Sequence, residues 1–516
     1  MSPASAPYRG AQPVGRDRFA QLLRAELTKF RTVRSWVAAL VAAAGAFALI
    51  ALLSVSISYS RNPQVPTGPD GEGVTDAYSF VHQPLDGDGT LTVRVASLEG
   101  AQATTPTASH AGSSETSRSQ TRPQLHPDLA PWAKAGILIE PDTTQGTTYA
   151  AVMVTGSHGV RLQYDYTHDR AGPAGSAQSS SPRWLRLSRS GDLITSDESS
   201  DGTHWTRVGS ARLAGLPTTV QIGLFVTSPD DAAGAPSVAT ASFDHLSLHG
   251  DLPRQAWQDS AVSGAAYPTV PSGSTWTQPT PGSFTISGTG DIAPVVGGQA
   301  ATTHWSGASI VNGTIVGLVI LIVVIASYET SEYRRGLIRT TLVAAPRRHR
   351  ALAAQAIVAG MLALIAGAAA AAVAELVTRH VFAANGNYLF PESLASSLRV
   401  VFGTGLFFGL TAALVVALGT ILRRGAATVV AGFVLVIVPG ILGTSVPGAD
   451  TWLMRLTPTA AFAIQATLPR YSTVTAAYTP DNGYFPISPW GGLAVMTVYT
   501  ALALVTATWL LRRRDV

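Results

Sequence analysis

The sequence predicts a polytopic α-helical membrane protein of six transmembrane helices, with a large all-β sandwich ectodomain between helices 1 and 2. Three observations predict it. The 516 residues are 46% hydrophobic and only 13% charged, with a mean hydropathy of +0.23, too apolar and charge-poor for a soluble chain of this size. The apolarity is confined to the two ends, where one run before residue 58 and five after residue 306 approach the ~20 residues that cross a hydrocarbon core. Between them, 58–306 reads as short β-rich stretches separated by turn residues.

In chain order, 1–35 is a cytosolic tail that ends in an amphipathic helix. Residues 1–15 are rich in Ser, Pro, Ala and Gly and are expected to be disordered. Over 16–34, Phe19, Leu22, Leu23, Leu27 and Phe30 recur at helical spacing, with Arg18, Arg24, Lys29 and Arg31 on other faces. Such a helix suits the inner headgroup layer. Residues 36–57 form helix 1; the run is too long for a signal-peptide core, and no A-x-A site follows it.

The middle domain offers strands at 90–97, 135–140, 147–155, 160–166, 183–188, 192–197, 220–227, 242–248 and 283–287. Asp86-Gly87-Asp88-Gly89 and Asp201-Gly202 are hairpin signals. Tracts at 101–123, 170–182 and 258–282 read as loops or spacers.

Residues 307–512 hold helices 2–6. Helix 2 centres on 310–326, with Gly313 and Gly317 as a small-x-x-x-small face. A basic loop over 328–350 follows it. Helix 3 spans 351–376, ending with Glu375 and Arg379 one turn apart near the outer surface. Helix 4 spans 400–422 and contains Gly405 and Gly409; helix 5 spans 426–442, with Pro439 late in it. The apolar stretch 452–468 carries Arg455 and Pro458, so a re-entrant or interfacial pair of short helices is expected there rather than a crossing. Helix 6 spans 490–511, and 513–516 is a cytosolic C-terminus.

Arginines set the orientation. Six lie in the 328–350 loop, Arg423-Arg424 follow helix 4 and Arg512-Arg513-Arg514 follow helix 6, while the short outer loops hold Arg379, Arg399, Arg455 and Arg470. By the positive-inside rule both termini are cytoplasmic and 58–306 is extracellular, in a multi-pass protein of the cell membrane.

Several function classes are excluded. There is no cysteine, hence no disulfide, thiolate metal site or cysteine nucleophile. No basic face with interleaved aromatics suggests nucleic acid. The only lysines, Lys29 and Lys134, stand in T-K-F and A-K-A, so the chain has no phosphate-binding loop of the form G-x-x-x-x-G-K-[ST]. The spans lack ionisable groups at mid-depth, which an ion-coupled carrier needs. Uphill transport would therefore draw its free energy from another subunit.

Two resemblances sharpen this. The runs L-D-G-D-G-T-L-T-V-R-V (85–95), P-W-A-K-A-G-I-L-I (131–139), W-L-R-L-S-R-S-G (184–191) and S-D-G-T-H-W-T-R-V-G (200–209) resemble concanavalin-A-like jelly-roll domains, including those appended to bacterial glycosidases. F-T-I-S-G-T-G-D-I (284–292) resembles the opening strand of such domains but comes last here, implying a permuted order. The runs E-Y-R-R-G-L-I-R-T-T-L (332–342), A-A-P-R-R-H-R and L-L-R-A-E-L-T-K-F-R-T-V-R-S-W (22–36) resemble permease subunits of ABC-2-type transporters, especially actinobacterial ones. That resemblance implies an exporter permease working as a homodimer or with a second permease, and a coupling helix docked on a separate cytosolic ABC ATPase that binds the ATP. No cofactor is expected in this chain. The insertion of roughly 250 residues after helix 1 departs from the many relatives with a much shorter loop.

Carried over by position, Glu329 and Glu332 would face the ATPase or cap the coupling helix. Arg334, Arg335 and Arg339 would pair with acidic groups, and Leu337, Ile338 and Leu342 would pack into the docking cleft. The same arginines also serve orientation and anionic lipid. In the ectodomain, Trp184 and Trp205 are possible ligand contacts, for instance to envelope glycan. Glu140, Asp165, Asp169, Asp192, Asp197 and Glu198 are candidate acids, but a glycosidase needs two carboxyls across a cleft and most of these sit beside turns. His158, His168 and His204 lack metal-ligand spacing. The rival of another class is a non-transporting, membrane-anchored glycan-binding or sensing protein; a membrane-bound glycosidase is a third reading.

Overall fold

A computed structural model describes residues 19–57, 65–103, 125–172, 181–232, 234–251, 256–262, 275–297, 307–334, 348–446, 448–476 and 478–513. Two helices come first: α1 (Phe19–Thr32), amphipathic, and α2 (Arg34–Ser56), apolar on all sides. Sixteen strands follow among the described residues, then α3 (Gly307–Arg334), α4 (Arg348–Ala384), α5 (Leu394–Leu422), α6 (Gly425–Val436), α7 (Val438–Ser445), α8 (Asp450–Leu456), a 3-10 helix (Pro458–Gln465) and α9 (Pro489–Arg513).

Among the described residues, six helical stretches are long and apolar enough to cross a membrane: Arg34–Ser56, Ser309–Ser331, His349–Ala384, Leu394–Leu422, Gly425–Gly443 and Pro489–Arg513. The third runs past its predicted end at 376, so Glu375 and Arg379 lie inside it, and Arg379 reaches both Glu375 (3.6 Å) and Glu392 (2.6 Å). The fifth breaks at Ile437, two residues before Pro439, which lacks a backbone donor. Glycines let the helices approach closely. A Cβ on Gly313 would lie 2.5 Å from the Phe47 carbonyl, and one on Gly409 3.0 Å from the Gly360 carbonyl. The residues of the 452–468 stretch fold as α8 and the 3-10 helix, the latter buried throughout.

The large antiparallel sheet is organised by β2 (Tyr78–Ala103), which takes part in two layers. Its first half lies between β11 (Thr219–Thr227) and β13 (Gln258–Val262); its second lies between β8 (Arg183–Ser190) and β12 (Ser237–Asp251). The change of partners falls at Asp86–Gly89, which corrects the hairpin expected there. Gly87 adopts φ 68°, its N–H donates to the Thr218 carbonyl, Asp88 accepts from the Gly191 N–H at 2.7 Å, and Asp86 accepts from the Thr219 hydroxyl. Turn chemistry here bends a continuous strand instead of reversing it. Asp201-Gly202 does close a hairpin, between β9 (Leu193–Ser199) and β10 (Thr206–Arg212), with Asp201 accepting from the Thr203 and His204 N–H groups at 2.8 Å.

The remaining sequence-predicted strands are present, and the 258–282 tract contributes two more, β13 and β14 (Thr275–Thr277). One core fills the space between the layers, with Val81, Leu91, Ile137, Val152, Leu187 and Ile222 among its members. A second covers the other face of the sheet made by the first half of β2, β4 (Lys134–Glu140), β5 (Ala150–Thr155) and β11. There Tyr78, Phe80, Leu138, Tyr149 and Phe225 pack under Val74, Val262 and Ile292. With both faces covered, β4 and β5 are buried at every position, where a one-sided sheet would alternate.

β1 (Val74–Asp76) and β16 (Ile292–Pro294), the strands by which the chain enters and leaves the sheet, pair antiparallel as a neck. The Gly73 N–H donates to the Tyr388 hydroxyl at 2.6 Å and the Gly297 N–H to the Tyr484 hydroxyl at 3.1 Å, tying the neck to the helical part.

Candidate functional site

The site expected from the sequence is the loop after the second apolar helix. Arg335, Leu337, Ile338, Arg339 and Leu342 lie outside the described residues, and Glu332 and Arg334 occupy the last turn of α3. What the structure describes is the shoulder of that loop. α1 and the start of α2 pack here: Phe30 of α1 and Trp36 of α2 set their ring edges against Tyr328, with centroids 5.5 and 5.0 Å away. The Tyr328 hydroxyl donates to Glu26 at 2.6 Å, and Lys29 lies 3.3 Å from Glu26 and 4.7 Å above the Tyr328 ring. The helix preceding α2 is thereby fastened to the residue that opens the basic loop.

Glu329 departs from its expected role. It is buried, its carboxylate accepts from the Thr420 hydroxyl at 3.0 Å, and its Cγ leaves no room for a Cβ at Gly419. In this conformation it braces α3 against α5 rather than facing a partner, because the helical phase that exposes one side of α3 turns Glu329 inward. The sequence by itself assigns no role to Tyr328 or Glu26, since the apolar stripe of α1 does not say what covers it.

In the sheet domain, Trp184 and Trp205 share a half-exposed face. Trp184 lies against His245 and closely over Gly202, and the Arg186 guanidinium sits 3.6 Å above the Trp205 ring. Trp184 and Arg186 alternate with the buried Leu185 and Leu187 on β8, so their side chains point away from the core.

The candidate acids do not form an open pair. Asp169 binds Arg161 and Gln163, Asp197 binds Arg207 at 2.8 Å, and Asp165 accepts from the Thr148 hydroxyl at 2.5 Å. Asp192 accepts weakly from the Gly215 N–H at 3.4 Å, and Glu198 is buried. None of the six lines the cavity of about 720 Å³ between Val65–Thr67, Thr144–Gln145 and the Ala383–Leu389 turn. Glu140 is buried with Asp76, which carried no motif in the sequence. The Tyr78 hydroxyl donates to Glu140 at 2.7 Å; the Tyr166 hydroxyl and Gly146 N–H each donate to Asp76 at 2.9 Å. Burial pushes the Asp76 carboxyl up to about 6 and raises Glu140 as well, against the opposing pull of those donors. Burial also raises Tyr78, Tyr149 and Tyr166. Asp76 ends the neck strand β1, and all of these side chains are buried.

No family model and no curated protein matches the chain. Among solved structures, a functionally unknown protein from Saccharomyces cerevisiae is similar over 33% of this chain and 74% of its own, at 17% identity and a TM-score of 0.21. Scytalido-glutamic peptidase, crystallised with a transition state analog inhibitor, is similar over 43% of this chain and all of its own, at 7% identity and a TM-score of 0.26. Likenesses at these TM-scores carry no argument about activity.

Proposed function

We propose that this chain is the membrane-spanning permease subunit of an ATP-driven ABC-2-type exporter, coupled to a separate cytosolic ATPase and paired with a second permease copy or homologue. In this reading the six apolar helices cross the cell membrane with both termini inside, and the sheet domain is a jelly-roll ectodomain outside. The observation that carries it is the fastening of α1 to Tyr328 through Glu26, Lys29 and Phe30, with Trp36 of α2 beside them. A push on the basic loop would then reach an amphipathic helix at the headgroup layer and, through Glu329 and Thr420, the α5 helix.

Co-purification of the full chain with a cytosolic ABC ATPase tests the reading. Glu332→Lys and Arg335→Glu are each expected to lose that partner and ATP-dependent transport. Retention of both by both variants overturns the assignment of the loop. The half-exposed face bearing Trp184, Arg186 and Trp205 favours a second reading, a membrane-anchored glycan-binding protein. It predicts envelope-glycan binding that Trp205→Ala abolishes, with no ATPase partner.

A further inference from the structure

The chain has 35 Lys and Arg residues, of which only Lys29 and Lys134 are lysines. Lys134, at the start of β4, is fully buried, and its Nζ lies 2.6 Å from Oδ1 of Asp291, itself 3% exposed. For a salt bridge alone, the guanidinium used nearly everywhere else in this sequence would be the better residue, since it offers a two-pronged donor set and is more weakly hydrated. A primary amine does one thing a guanidinium does not do readily: it condenses with a carboxyl group to an amide.

The local geometry suits that reaction. Nζ is steered by a second hydrogen bond, to the Ile292 carbonyl at 2.7 Å. Oδ1 accepts from the Ile292 N–H at 2.8 Å, a donor aimed at the oxygen on which negative charge would develop when nitrogen attacks Cγ. Oδ2, the oxygen that would leave, is buried with no hydrogen-bond partner among the described residues. The 2.6 Å contact is the path by which one proton passes from Nζ to the carboxylate, the transfer that the attack on Cγ requires. Held side by side by β4 and the strand that closes the domain, they also need no encounter step.

We propose that Lys134 and Asp291 are joined by an intramolecular amide bond formed after folding. The Nζ–Cγ bond forms, the Cγ–Oδ2 bond breaks, and two of the three ammonium protons leave with Oδ2 as water; no oxidant or co-reactant takes part. The link closes a loop between residues 157 apart and fixes the neck strand β16 to the sheet. A chain without cysteine thereby gains a covalent staple where the ectodomain meets the helices. The inference does not depend on the transport reading.

Intact-mass measurement of the full chain purified from membranes tests it. The wild type is expected to weigh one water less than its sequence, and its digest to contain one branched peptide joining the segments around 134 and 291. Lys134→Arg, which keeps the charge, is expected to show its full sequence mass and no branched peptide; should it fail to accumulate, Asp291→Ala serves as the control. A folded wild-type chain at full sequence mass, or a loss of water mapped to other residues, overturns the proposal.

Discussion

Asp76 shows how burial competes with hydrogen bonding at a single side chain. The two donors on its carboxylate favour the ionised form, yet loss of water lifts it from 3.8 to about 6. The folded state therefore binds its proton more tightly than the unfolded chain does. The resulting stabilisation is fully present below pH 3.8 and is lost as pH rises through about 6, amounting to on the order of 3 kcal/mol at about 1.4 kcal/mol per unit. Glu140, also raised, adds in the same direction. Melting of the full chain in lipid nanodiscs should show the sheet domain losing stability across that window, and Asp76→Asn should flatten the profile. Tyr328→Phe is the matching test inside the bundle. Losing a hydrogen bond to a charged group costs about 1.5–3 kcal/mol, so hydrogen exchange over Phe19–Thr32 is expected to accelerate at least tenfold. Unchanged exchange would mean that the aromatic contacts hold α1 unaided.

Among the elements, α2 and α3 meet through glycine. A Cβ at Gly313 would overlap the Phe47 carbonyl and ring at 2.5 Å, whereas one at Gly45 on α2 would meet nothing within 4 Å. Gly313→Ala is expected to destabilise the chain by about 1–3 kcal/mol through overpacking. Gly45→Ala is expected to be neutral or stabilising by up to ~1 kcal/mol, since alanine has the better helix propensity. Thermal melts followed by circular dichroism compare the two, and equal effects would mean that the α2–α3 contact is looser than drawn. The Gly313 and Gly317 spacing was legible in the sequence; that Phe47 and Phe408 are the groups received was not, because a one-dimensional pattern names a face and not its occupant. Likewise Asp86-Gly87-Asp88-Gly89 announced a change of direction, while only the partners β11 and β8 made it a bend within β2.

For the molecule as a whole, the neck decides how the sheet domain sits on the helices. Its two glycine amides bind tyrosine hydroxyls, Gly73 with Tyr388 and Gly297 with Tyr484, and Ala293 and Val296 pack with Val474 and Tyr484. Tyr388→Phe and Tyr484→Phe should each cost about 1 kcal/mol and speed exchange of the bonded amide roughly fivefold. The effect should stay within the neck, with the sheet core protected as before. Acceleration throughout the sheet would instead mean that the domain depends on the helices for its folding.

Taken alone, the sequence determined the partition into environments: six apolar stretches of crossing length, a β-rich middle, and arginines gathered at particular helix ends. Such properties are set by composition and period, which are local and survive without contacts. The tertiary structure decided what lies against what. It turned Glu329 into the bundle, laid α1 on Tyr328, covered the second face of the sheet under β1, β13 and β16, and brought Lys134 to Asp291 across 157 residues. Burial and partnership arise from packing between distant segments, and no window along the chain contains both members of such a pair.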